Sequence, residues 1–291
     1  MPVIARIIVL VVMATAFWQS LSAALPPVEG DSVGVQPDAN RYTMRSNMIG
    51  IGGVNRLETY LSPFEYKGTE LRFMHESMRL TRMWRGNVSV QQFFEGNISF
   101  SHSPTHDARY LAGDFEWRIG WHYNFVPAAG LRLLAGLQTG ASAGGIYNNR
   151  NGNNPAQAKL SADIAASGMA IYRFNLWNRL FAARWQMDMP LGGLMFSPAY
   201  GQSYYEIFSL GQRDHNVCPT WIGNAPTFRS LLTFDAPLGS GTLRLGWRCD
   251  VRQSHVNHLK SHAWSNLFMI GYVKHFRLVK RRDSDAGKTI L

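Results

Sequence analysis

Within the stretch from Tyr110 to Val126 the side chains alternate without a break from Asp114 to Phe125. Phe115, Trp117, Ile119, Trp121, Tyr123 and Phe125 hold the odd positions, and Asp114, Glu116, Arg118, Gly120, His122 and Asn124 hold the even ones. A period of two marks an extended strand, because successive side chains leave opposite faces. Residues 243–252 repeat the beat, with Leu243, Leu245, Trp247, Cys249 and Val251 against Arg244, Gly246, Arg248, Asp250 and Arg252. Both segments set a face of large apolar side chains against a face carrying charges in mid-strand. A fold for this chain must accommodate both faces along strands longer than the roughly 5–6 residues usual in globular sheets.

Ten segments carry this pattern, at about 41–53, 69–82, 88–102, 109–126, 130–147, 158–174, 180–189, 227–236, 241–255 and 263–279. The connections after the second, fourth, sixth and eighth are short. Those after the first, third, fifth, seventh and ninth are generally longer, and the seventh runs from Pro190 to Pro226. Charged residues make up only 16% of the chain against 46% hydrophobic, yet after residue 24 no apolar run approaches the roughly 18 residues of a membrane helix. Disorder is excluded by the 12% aromatic content, and a helical membrane protein by the short runs. A soluble β-sandwich or a lipocalin-like barrel shares the alternation. The aromatic outer face, the mid-strand charges and the strand lengths favour an all-β antiparallel transmembrane barrel of ten strands, with eight to twelve admitted, short turns on one rim and long loops on the other.

Arg6, the apolar stretch Ile7–Trp18 and the sequence Ser20-Leu21-Ser22-Ala23-Ala24 predict a secretory signal over residues 1–24, cut after Ala24. Leu25 rather than a Cys stands immediately after the cut, so a lipoprotein is not expected. Residues 25–40 then read as an N-terminal segment, 41–279 as the barrel and 280–291 as a basic tail. The last strand places Trp264, Phe268, Ile270, Tyr272 and Phe276 at even spacing. Here the chain resembles the Gram-negative outer-membrane β-barrel proteins, whose final strand carries an aromatic assembly signal. Their pattern ends at the terminal aromatic residue, whereas this chain continues through Lys280-Arg281-Arg282 to Leu291. The resemblance implies an outer-membrane location, with the short turns periplasmic and the long loops extracellular. It implies no activity.

If the polar faces point inward, the lumen receives Asp114, Glu116 and Arg118, with Asp163 and Arg173, Arg184 and Asp188, and Arg244, Arg248, Asp250 and Arg252. A barrel this narrow is filled by side chains rather than by a wide aqueous channel. Opposed charges would form a plug of ion pairs; the competing reading is a narrow, anion-preferring conduit, because Arg outnumbers acid on several strands. His255, His258 and His262 have generic loop spacing for imidazole metal ligands and no carboxylate within the cluster; solvated surface histidine is the simpler reading, and no metal site is expected.

Two enzyme templates have partial counterparts. Outer-membrane lipid hydrolases place a His-x-Ser pair on one strand face, matched by His75-Glu76-Ser77, with Glu95 or Asn97 as an orienting third group. The expected register turns His75 toward the lumen and Glu76 toward lipid. Omptin-type rim proteases pair acids with an Asp–His couple, echoed in composition by Asp214-His215 and His106-Asp107. No phosphate-binding glycine loop or other cofactor motif is present, and no disulfide is expected between Cys218 and Cys249.

The formal charge of +10 in an exported, aromatic-rich chain favours phosphate-bearing lipid over nucleic acid as the anionic partner. The expected function is non-enzymatic: a filled outer-membrane barrel offering its loops to a polysaccharide or protein. Lipopolysaccharide phosphates would meet outward Arg56, Lys67, Arg109, Arg150, Arg213 and Lys260. The Pro190–Pro226 connection, with Phe196, Tyr200, Tyr204, Tyr205, Phe208 and Trp221, is expected to fold over the mouth or present an aromatic surface.

Overall fold

The structure is a computed structural model and describes residues 42–152, 154–238 and 241–277, with side chains between Thr43 and Lys274. The expected signal at 1–24, the segment 25–40, the tail 280–291 and the side chain of Phe276 lie outside these residues. Ten long strands close into one antiparallel barrel, and an eleventh short strand is added. In chain order they are β1 (Tyr42–Glu58), β2 (Ser62–Leu80), β3 (Val88–His102), β4 (Arg109–Ala128), β5 (Leu131–Asn148), β6 (Ala156–Leu176), β7 (Arg179–Phe196), β8 (Val217–Trp221), β9 (Thr227–Leu238), β10 (Gly241–Val256) and β11 (Leu259–Arg277). Each long strand bonds to its neighbour in sequence, with β7 passing over β8 to meet β9. Closure comes from β11 returning to β1, from Tyr42↔Arg277 to Glu58↔Ser261. The short β8 covers the end of β7 that β9 does not reach, pairing Gly192↔Trp221 through Phe196↔Val217.

The alternation is realised as an inside and an outside. Phe73, Phe115, Trp121, Leu232, Trp247 and Phe268 stand exposed on the outer wall, while Glu70, Glu76, Glu116, Arg118, Arg244 and Asp250 are buried within. That is the reverse of a water-soluble core, and it suits a wall that faces hydrocarbon, because closure leaves no unpaired backbone edge. The short-turn rim is formed by tight connections. Trp177 and Asn178 join β6 to β7 with φ of 50° and 56°, the left-handed pair of a two-residue hairpin. At the other rim Asn257 and His258 do the same between β10 and β11, with φ of 52° and 62°.

The ten expected strands are present, but three boundaries differ. Residues 54–68 form strand and a tight turn rather than a long loop, because Val54, Arg56 and Glu58 continue the buried face of β1. The β7 strand does not stop at Pro190. Pro190 pairs with Ala165 beside a register shift that takes Ile164 to Gly192, an irregularity of the kind that tolerates proline inside a sheet. The β8 strand was not anticipated.

Two adjacent glycines in β1 report how tightly the seam is closed. A Cβ on Gly52 would lie 1.9 Å from the carbonyl oxygen of Asn266 on β11, whereas a Cβ on Gly53 would meet nothing within 4 Å. Gly52→Ala is therefore expected to cost about 1–3 kcal/mol through overpacking, read as a lower urea midpoint of the folded protein in micelles. Gly53→Ala should leave that midpoint close to wild type.

Candidate functional site

Alternate residues of nearly every strand meet inside the barrel, and their charges are matched. Glu116 on β4 receives Arg118 at 2.5 Å, Arg252 of β10 at 2.8 Å and Arg229 of β9 at 2.9 Å. Arg118 also donates to both oxygens of Asp163 on β6 at 2.6 Å, and Arg252 lies 3.5 Å from Asp114. Across the bore, Arg72 of β2 pairs with Asp250 of β10 and with Glu70, and lies 3.5 Å from Glu95 of β3. Arg248 joins the same acids, at 2.7 Å from Asp250 and 3.3 Å from Glu95. Glu70 further accepts from Arg56 at 3.5 Å and from the Ser265 hydroxyl at 2.8 Å.

Nearer the short turns, Glu76 is held between Arg184 of β7 at 2.6 Å and Arg244 of β10 at 2.9 Å. Arg244 clasps Asp235 through two bonds of 2.6 and 2.7 Å. Neutral groups complete this level. Gln91 donates to Glu76 and to Gln186, and the Ser167 hydroxyl lies 2.8 Å from His122 Nε2 while donating to Asp188.

Apolar side chains are buried alongside these pairs. Met48, Met74, Phe93, Leu231, Leu267 and Met269 form one buried cluster. Toward the long loops, Tyr66 and Tyr110 stack at 3.6 Å within a second cluster containing Leu61, Ala108, Ala112 and Ile146. Lys159 bridges the same end, pairing with Glu58 and donating to Ser261. Residues 197–226 lie against this rim. Their one-turn helix α1 (Tyr204–Phe208) starts at a Ser203/Glu206 capping box. Tyr60 donates to the Gln202 carbonyl at 2.9 Å, and the Ala158 amide donates to the Tyr204 hydroxyl at 2.6 Å. Ile207 is buried, whereas Tyr200, Tyr205, Phe208 and Trp221 stay exposed. The loop thus makes contacts at the mouth and also presents an aromatic surface.

The sequence-predicted residues divide accordingly. Asp114, Glu116, Arg118, Asp163, Arg184, Asp188, Arg244, Arg248, Asp250 and Arg252 all line the lumen. Arg173 does not join them: it sits exposed near the short-turn rim, where β6 ends. The sequence reading missed Arg56, Glu70, Arg72, Glu76, Arg229 and Asp235. Arg56 was expected outside, but the run of β1 turns it inward onto Glu70. The missed residues are equal in acids and arginines, but Arg173 lies outside the lumen and Glu95 inside it, so the expected excess of lumen arginine is gone, and with it the basis for anion preference.

The register of β2 is opposite to expectation. Glu76 is buried in the lumen, while His75 and Ser77 face the outer wall. Glu95 points into the lumen, so it cannot orient His75. That position is taken by Asn47 of β1, whose Oδ1 lies 2.6 Å from His75 Nδ1. Ser77 shares the face but is not hydrogen-bonded to His75.

The metal candidates are not assembled either. His258 occupies the left-handed turn, His255 pairs with Lys260 across the ladder, and His262 stacks on Trp264 at 4.4 Å. Among the described residues, no group of three or more His, Cys, Asp or Glu side chains is placed to hold a metal. Both cysteines are free. In the rim loops, Asp107 accepts from Thr105 and Ser103 and pairs with Arg150, rather than with His106. Those hydroxyls, and then Arg150, hold its carboxyl down at about 2. Asp214-His215 lies in a separate loop.

Two polar rows mark the outer wall. Lys67, His102 and Arg109 are ladder partners on β2, β3 and β4 at the long-loop end. Arg45, Ser77 and Gln92 are partners on β1, β2 and β3 at the short-turn end. Along β2 and β3 the rows are about ten residues apart, or roughly 25 Å for tilted strands, the height of the apolar band of a membrane barrel. Phe100, Leu111 and Tyr147 lie below the upper row, in a groove of about 380 Å³ shared with His102 and Arg109.

Residues 6–283 match the family described as "Protein of unknown function (DUF3316)". Among curated proteins, no sequence matches the chain. Similar solved structures include the transport unit of the autotransporter AIDA-I from Escherichia coli, at 9% identity and a TM-score of 0.46, covering 85% of this chain and 93% of that one. The outer membrane protease OmpT from Escherichia coli gives 7% identity and 0.45, covering 85% and 99%. Ail, the attachment invasion locus protein of Yersinia pestis, solved with a heparin analogue, gives 9% and 0.29, covering 80% and 99%. At these levels no residue role passes to this chain.

Removing one charge should expose how strongly the lumen is coupled. Glu116→Gln leaves Arg118, Arg229 and Arg252 short of a counter-charge, at an expected cost of about 3–5 kcal/mol. Chemical unfolding of the refolded variant measures it; a loss below about 1 kcal/mol would mean that the pairs are solvated.

Proposed function

We propose that this chain, which belongs to the DUF3316 family, is a closed outer-membrane β-barrel whose filled lumen holds a rigid frame for cell-surface loops. The observation that carries this reading is the set of buried pairs linking strands not adjacent in the sheet: Arg72 to Asp250, Arg252 to Glu116, and Arg184 to Glu76. A conduit requires basic or acidic groups left to meet passing solute, whereas these acids already have guanidinium partners. The apolar clusters and the contacts of Tyr60, Tyr204 and Lys159 extend the filling to the mouth.

An outer-membrane setting accounts for the exterior. The exposed aromatic wall needs lipid, the short turns suit the periplasmic side, and residues 103–108, 149–155 and 197–226 suit the outside. Exposed Tyr200, Tyr205, Phe208 and Trp221 provide the surface for a polysaccharide or protein. Lys67, His102 and Arg109, set over an apolar groove, match the phosphates and acyl chains of lipopolysaccharide.

Cysteine accessibility tests the placement. In a Cys218→Ser/Cys249→Ser background, Asp214→Cys should react with a membrane-impermeant maleimide on intact cells. Trp84→Cys, in the β2–β3 turn, should react only after permeabilisation. The reverse pattern would overturn the proposed orientation.

A further inference from the structure

At the short-turn end, the wall made by β11, β1, β2 and β3 is more polar than the sheet around it. One ladder row runs Lys274, Arg45, Ser77 and Gln92, and the next runs Tyr272, Asn47, His75 and Phe94. The patch is bounded by Leu243 of β10 on one side and by Trp117 and Ile119 of β4 on the other. Asn47 Oδ1 accepts from the His75 Nδ1–H at 2.6 Å, which fixes the imidazole against the wall. Lys274 Nζ stands 5.7 Å from the Tyr272 ring centroid. Two cationic groups and a hydroxyl on one face form a donor set for a phosphate diester, beside the imidazole that Asn47 orients.

A second observation continues from the patch. One pleat further toward the long loops, the side chains become Ile270, Ile49 and Phe73, and from there a groove of about 750 Å³ runs along the wall. Ile51, Leu71, Ile98 and Phe268 also line it and make it mostly apolar, with Arg72, Asn97 and Asp114 contributing the polar part of its lining. Gly96, the partner of Phe73, leaves its floor open, since a Cβ there would meet nothing within 4 Å. A phosphate-binding patch continuous with an apolar groove, at the end of an apolar band, has the geometry of an amphiphile with one charged end.

We propose that this wall binds one glycerophospholipid of the periplasmic leaflet. Its phosphate lies on Arg45, Lys274 and Ser77 beside the Asn47–His75 pair, and one acyl chain occupies the groove above. The leaflet assignment rests on the outer-membrane reading given above. Binding in micelles does not, so the two fail separately.

Native mass spectrometry of the refolded full chain tests the site, with 1-palmitoyl-2-oleoyl-phosphatidylglycerol as the probe. The wild type should retain one lipid, and should not retain a diacylglycerol with the same chains. Arg45→Gln combined with Lys274→Gln should lower the bound fraction about tenfold, the scale of losing charge-assisted contacts. Gly96→Phe, which fills the groove without meeting protein at its Cβ, should lower it comparably while leaving the folded gel mobility unchanged. Lys67→Gln combined with Arg109→Gln, at the opposite rim, should leave it unaltered. Retention at the wild-type level in both wall variants, equal loss in the rim variant, or equal retention of diacylglycerol would overturn the proposal.

Discussion

Buried guanidinium–carboxylate pairs set the terms for the rest of this molecule. Glu116 carries three arginines from β4, β9 and β10, and Glu76 joins β2 to β7 and β10. A charge moved from water to a protein interior carries a desolvation cost of several kcal/mol, which is offset only by close partners and complete hydrogen bonding. The barrel supplies the close partners by distributing acids and bases over nearly all its strands, so that most pairs join different strands, while Arg118 Nη1, Arg184 Nε and Arg229 Nε are buried without a hydrogen-bond partner. Closure of the sheet and neutralisation of the bore are therefore one event: a slip of one residue in any strand would send its charges to the apolar face.

The same constraint explains the exterior. With polar groups committed to the inside, the outer faces are free to be apolar over a band about the height of a bilayer core. Polar side chains return on β2 and β3 only at its two ends. Long-loop residues then add to the closure, through Tyr60, Lys159 and Tyr204, and still leave aromatic side chains exposed.

Much of the barrel was legible because strict alternation needs no tertiary information. The segments 88–102 and 109–126 matched strands almost to the residue, and β4 and β10 declared their inward faces through Glu116, Arg118, Arg248 and Asp250. The site was less legible where the local pattern was mixed. On β2 the odd positions run Leu71, Phe73, His75 and Ser77, so reading His75 as a lumen residue inverted the strand and hid Glu70, Arg72 and Glu76. Reading from Glu70, Arg72 and Glu76 together would have given the right face. Arg56 was lost because its neighbours look like a loop, and Arg173 was misplaced because parity gives a face but not a depth. The Asn47–His75 contact lies between strands far apart in sequence, and only the register reveals it.

The central claim is that ion pairs, rather than loops alone, close the bore. Single-channel recording of the refolded protein in a planar bilayer tests it most directly, comparing wild type with a variant carrying Glu76→Ala, Glu116→Ala, Arg72→Ala and Arg252→Ala. The account predicts a silent wild type and reproducible conductance steps once those side chains are removed. Steady anion-selective steps from the wild type would contradict it, and would make the lumen arginines a filter.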